Sequence, residues 1–206
     1  MSTEWNNVTP GEINPMVKLM QERAQSFTNS AWAQPKGRPN MGGAPGSQEE
    51  GYGFAADGYG NNVPRSLIHS ESGGNWMAQN NAMGSGGKAG HYGALQFGHA
   101  RLEDAKRAGI IPADMTPQQF MANPQAQVAT GNWHFNDIDN RIRQSGYDKY
   151  IGQNIGGTII SMDGMRSMAH LGGFGGLSKY ISTGGRYNPS DVNGTSLAKY
   201  GKQHRS

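Results

Sequence analysis

Apolar side chains recur at helical spacing from about residue 63 onward, and the punctuation between these runs predicts where each helix stops. Asn62 can cap and Pro64 suits a first turn, after which Leu67, Ile68 and Glu71 fall on neighbouring positions of one helical face. Gly73-Gly74 ends that helix. Residues 77–98 carry no helical period and predict loop or a small irregular hairpin, ending at Leu95-Gln96-Phe97. Residues 101–108 predict a short helix closed by Gly109, and Thr116-Pro117-Gln118-Gln119 has the form of a capping box. Asn123-Pro124 opens the longest helix, to about Gln144, with Val128, Trp133, Ile138 and Ile142 as its apolar stripe and Gly146 beyond its end. Residues 147–151 predict a turn and 156–160 a brief extended segment. Ser161 caps a helix that runs through Leu171 to Gly172-Gly173, residues 176–182 form another, and Thr195 or Ser196 opens a last one through Tyr200. The fold class expected is mainly α, many short helices with a small irregular β or loop segment.

Residues 1–62 read differently. One marginal helix is predicted around 15–27, where Met16, Leu19, Met20 and Ala24 share a face. The stretch 35–62 is rich in Gly, Pro, Asn and Ser, the composition of a linker. The expected organisation is therefore an extended N-terminal tail over 1–62, flexible or docked on a partner, and a compact domain over 63–206.

Composition narrows the classes. With 34% hydrophobic residues and 32 glycines among 206, the core is modest and the loops extensive. Residues 1–62 carry four Lys/Arg against six Asp/Glu, whereas 63–206 carry fourteen against nine. That mild basicity suits a polyanionic or carboxylate-bearing partner, such as cell-wall polymer or nucleic acid, and the charge alone selects neither. The absence of cysteine excludes a disulfide framework and thiolate metal sites. No window approaches the ~18 apolar residues of a membrane span, and Met1-Ser2-Thr3-Glu4 lacks the basic start of a secretory signal.

Candidate chemistry centres on Glu71 and the glycine-rich run 90–98. A glutamate at the end of an apolar face most often turns to water. Here Ser72-Gly73-Gly74-Asn75 permits close approach of a ligand, and burial beside Leu67, Ile68 and Trp76 would raise the carboxyl pKa, as a general acid at neutral pH requires. Gln96 is a candidate hydrogen-bonding group in a groove. The six histidines include no His-Glu-x-x-His pair, and no Gly-x-Ser-x-Gly, Walker or dinucleotide pattern stands in its required context, so no metal and no cofactor are expected.

Glu71-Ser72, Gly93-Ala94-Leu95-Gln96-Phe97 and Ala169-His170-Leu171-Gly172-Gly173 together resemble the lytic transglycosylases and goose-type lysozymes of the lysozyme-like superfamily. The resemblance spans residues 63–200, and the run 184–196 with Tyr200 is similar to the tails of phage wall-degrading proteins. It implies a lysozyme-like α+β domain with Glu71 as single catalytic acid and base and with Ser72, Asn75, Tyr92, Gln96, Phe97 and His170 toward the substrate. The substrate implied is the glycan strand of peptidoglycan, and no nucleic acid is expected as a partner. In the family a glutamate protonates the glycosidic oxygen between N-acetylmuramic acid and N-acetylglucosamine, and the muramic C6 hydroxyl then closes an anhydro ring. No second carboxylate is needed, in contrast to most glycosidases, and no acid follows Glu71 before Glu103. The third motif departs, with His170 in place of Tyr and Leu171 in place of Asn, so the family's Asn contact is not carried over. A hydrolytic outcome would need a downstream carboxylate such as Asp163 or Asp191. The expected setting is a phage or phage-like particle acting on the bacterial wall, with residues 1–62 against other particle proteins. The alternative is a non-catalytic virion protein that keeps the fold.

Overall fold

The computed structural model describes residues 58–83, 89–191 and 193–205. The helix expected at 15–27, and nearly all of the expected tail, lie outside the described residues. What is described is mainly helical with a small antiparallel sheet.

Helix α1 (Arg65–Ser72) leads into a three-stranded antiparallel sheet of β1 (Gln79–Met83), β2 (Ala89–Tyr92) and β3 (Phe97–Gly98). Asn80 pairs with His91, and His91 in turn with Gly98. Helices α2 (His99–Arg107), α3 (Pro117–Met121) and α4 (Pro124–Gln144) follow, then a 3-10 turn at Tyr147–Tyr150. A two-stranded hairpin, β4 (Asn154–Ile155) and β5 (Thr158–Ile159), precedes α5 (Met162–Ser182) and α6 (Leu197–Gln203).

Most boundaries follow from local chemistry. Thr116 and Gln119 close a reciprocal capping box on α3, and the side chains of Asn123, Ser161 and Ser196 cap α4, α5 and α6. Gly173 sits at φ 70°, ψ 165° within α5 and breaks it in two where the glycine pair was expected to end the helix. Asn62 does not cap α1. Pro64 holds the cap position without a side-chain bond, while Asn62 donates to Asn136 of α4 at 2.9 Å. The reason is tertiary: Gly60 N–H donates to the Asn132 side chain at 2.8 Å, which draws the segment before α1 against α4. Tyr59 is buried in the core, so the packed region starts before the expected boundary at residue 63.

One contiguous apolar cluster joins Leu67 and Ile68 of α1, Leu102 and Ala105 of α2, Phe135, Ile138 and Ile142 of α4, Met165, Met168, Leu177 and Tyr180 of α5, and Leu197 of α6. Each such large side chain contributes about 1.5–3 kcal/mol by leaving water. The buried face of α4 differs from the expected stripe, since Val128 and Trp133 are only half-buried whereas His134 and Asp139 are buried. Apolar periodicity does not register these two because they are polar. They find their partners on α5, where His170 meets His134 and Arg166 meets Asp139.

Helix α6 reaches the end of α1 because glycines remove the side chains that would hold it off. A Cβ on Gly164 of α5 would come within 2.9 Å of the Gly201 carbonyl oxygen, and one on Gly201 within 2.1 Å of Met168. Two bonds then lay α6 along α1. They join Ser66 Oγ to His204 Nδ1 at 3.0 Å and Gln203 Nε2 to Ser70 Oγ at 3.2 Å.

Candidate active site

Glu71 stands at the penultimate position of α1, where Gly73 takes a left-handed conformation (φ 66°) and turns the chain away, its N–H bonded to the His69 carbonyl at 2.9 Å. The carboxylate is 18% exposed. Burial pushes its pKa above the ordinary range; the Tyr200 hydroxyl and nearby His91 pull it down, and Asp191 pushes it up.

Tyr200 is the principal contact and was not among the site residues expected from sequence. Its hydroxyl donates to Glu71 Oε1 across 129 residues of chain. Burial and the adjacent carboxyl both push the phenol pKa upward, so the hydroxyl remains a donor. Nothing local marks Tyr200 for this task, because its place depends on how α6 crosses α5.

His170 packs against the carboxylate. Its side chain is 8% exposed, and Nε2 is 3.8 Å from Glu71 Oε1. Phe97, at 5.9 Å between centroids, meets the ring edge-on, and Phe135 stacks at 5.8 Å. Behind it, His170 Nδ1 is 3.0 Å from His134 Nε2, and His134 Nδ1 accepts from Arg101 Nε at 2.8 Å. The Arg101 guanidinium also pairs with Asp137 at 3.1 Å and lies 3.9 Å above the Trp133 ring. Burial brings the His170 pKa down to about 4; the Leu95 backbone opposes this, and Arg101 and His91 reinforce it. His134 is also driven well below the usual imidazole range, first by burial, then by His170 and Arg101.

The other expected site residues divide. Ser72 Oγ donates to the Ala94 carbonyl at 2.8 Å, tying the residue after the acid to the 93–96 turn. Gln96 adopts φ 48°, a left-handed conformation that a non-glycine side chain takes up only when its surroundings impose it. Its amide nitrogen donates to the carbonyls of Gly93 at 2.8 Å and Ala78 at 3.2 Å, so its carbonyl oxygen is the atom left to accept from a ligand. Phe97 is a core residue against Phe120, His134 and His170. Tyr92 is buried with its hydroxyl 3.0 Å from His99 Nε2. Asn75 is exposed, and its side chain accepts from Met77 N–H at 2.9 Å to form a local turn.

Gln127 of α4, also missed from sequence, carries the turn. Fully buried, it accepts from Ala94 N–H at 2.8 Å and donates to the carbonyls of Trp76 and Met121, each at 2.9 Å. A Cβ at Gly93 would meet its Oε1 at 2.2 Å, which explains the glycine there. Of the two downstream carboxylates, Asp163 pairs with Arg166, while Asp191 is close enough to act electrostatically on Glu71. Among the described residues no helix is long and apolar enough to cross a membrane.

The arrangement is a carboxyl that gains its proton more readily than a solvated glutamate, with a hydroxyl donor ready to receive its charge once the proton is given up. No protein-family model matches the chain, and no curated protein and no solved structure matches it.

Proposed function

We propose that the chain cleaves the glycan strand of peptidoglycan between N-acetylmuramic acid and N-acetylglucosamine, with a lysozyme-like domain in which Glu71 is the single acid and base. The observation that carries this reading is Glu71 itself: part-buried, raised above the ordinary carboxylate range, and bonded by the Tyr200 hydroxyl, with no lysine or arginine among the described residues paired with it. A protonated Glu71 gives its proton to the glycosidic oxygen; the resulting carboxylate, held by Tyr200, takes a proton from the attacking hydroxyl. Where that hydroxyl is the muramic C6 group, the product is an anhydromuropeptide and the enzyme a lytic transglycosylase.

A hydrolytic outcome is the second reading, favoured by the electrostatic proximity of Asp191, a carboxylate that could orient water. In either case the proposed setting is a phage or phage-like particle that delivers the protein to the wall. The test is digestion of purified peptidoglycan followed by mass spectrometry of the fragments. Anhydro ends support the transglycosylase, and ends one water heavier support hydrolysis. Glu71→Gln should lower the rate at least about 100-fold, the usual contribution of a general acid; undiminished cleavage by that variant would remove the assignment.

A further inference from the structure

Arginine has five N–H donors and no acceptor, and it stays protonated in proteins. The nitrogen that Arg101 Nε meets at 2.8 Å, Nδ1 of His134, is therefore the acceptor. In an uncharged His134 the proton must then sit on Nε2, which points at Nδ1 of His170 at 3.0 Å. The same logic makes His170 Nδ1 an acceptor and puts the His170 proton on Nε2, the atom 3.8 Å from Glu71. The Leu95 backbone bond favours a charged His170, so the ring is the donor there too, as this tautomer requires.

We propose that Arg101 acts through His134 to fix His170 in the Nε2–H tautomer, so that an uncharged N–H, rather than an imidazolium, faces Glu71. This rests on the reading of Glu71 as the acid and names His170, His134 and Arg101 as positioning residues for it. An imidazolium at that distance would favour the ionised carboxylate and remove the proton the reaction needs. A neutral ring supplies a dipole that receives the charge only after the proton has left. The line is no proton shuttle, because its far end cannot accept a proton.

The groups that face this pair come from every adjoining element: His91 of β2, the Leu95 backbone, Arg101 of α2, His134 of α4, Asp191 before α6, Tyr200 within it and His204 just after it. Phe97 and Phe135 pack on both rings and keep them from turning. The directionality is thus built into packed side chains.

The experiment is long-range proton–nitrogen correlation of the full ¹⁵N-labelled chain, with the His134 and His170 signals assigned by single substitutions. At pH 6–7 both rings should show the Nε2–H neutral pattern. An Nδ1–H pattern at either ring, or a charged His170 at pH 6, overturns the proposal without any variant. In Arg101→Met the pinning donor is lost, so His170 should show mixed tautomers and titrate at higher pH, and the alkaline limb of peptidoglycan cleavage should move to lower pH. Unchanged tautomers in that variant overturn the proposal. The spectra are read whether or not the chain cleaves peptidoglycan, so a failure of the cleavage reading remains separate from a failure of this one.

Discussion

Two carboxylates border the seam between α4 and α5, and they are treated in opposite ways. Asp139 receives both arms of the Arg166 guanidinium, at 2.7 and 2.8 Å, and its side chain is 7% exposed. Glu71 lies beyond the same seam one turn further along α5, yet its neighbours there are a phenol and an uncharged imidazole. Arg166 and His170 are four residues apart, so one helical face delivers a permanent cation to one acid and a neutral ring to the other. The first arrangement holds a charge in place; the second leaves a proton negotiable. Burial alone does not make a reactive group, and what matters is whether the fold also supplies the countercharge.

The contrast can be broken first at its static half. Arg166→Met should strand Asp139 and lower the unfolding free energy by about 3 kcal/mol in urea titrations, with part of the loss recovered when Asp139→Asn is added. No recovery would mean that Arg166 acts through its packing instead. The histidines give the next largest effect. His170 and His204 are shifted down to about 4, chiefly by burial, and His134 is lowered well below the usual imidazole range by the same cause. Each therefore binds a proton more readily when unfolded, and stability should fall as pH drops from about 6.5 toward 4. The slope is about 1.4 kcal/mol per pH unit for each proton taken up on unfolding. Glu71, raised in the fold, works against this between 4.5 and its raised value, so Glu71→Gln should steepen the acid slope.

Tyr200→Phe sharpens the reactive half. Loss of one hydrogen bond should cost about 1 kcal/mol. Because that bond favours the ionised carboxylate, its removal should move the alkaline limb of the proposed cleavage to higher pH, measured on purified peptidoglycan. A shift to lower pH would contradict the direction derived from the geometry. The smallest effect belongs to Glu71→Gln at neutral pH, where stability should change by less than about 1 kcal/mol, because a buried carboxyl without a cation contributes little.

Much of the helical framework was legible because it rests on local signals. The capping box at Thr116, the Asn123-Pro124 start, the Ser161 cap and the break at Gly173 each act within one or two turns of chain. Glu71 was legible as a candidate for the same reason, standing on an apolar face before a glycine pair. Asn62 misled because its side chain had a better partner 74 residues away. The α4 stripe misled because hydropathy counts His134 and Asp139 as outward-facing, while α5 supplies the groups that make them buried.

What the sequence determined by itself is the run of short helices, their caps and stops, and the placing of one glutamate where backbone can approach it. These depend on side chains bonding to neighbouring backbone and on glycine's access to positive φ, and so they require no distant partner. Only the tertiary structure decided what surrounds that glutamate. Tyr200 arrives because Gly164 and Gly201 let α6 pack close, and His170 arrives with its protons ordered because Arg101 and His134 come from two other helices. A carboxyl's pKa is a property of everything within a few ångströms, and those neighbours are set by packing rather than by order along the chain.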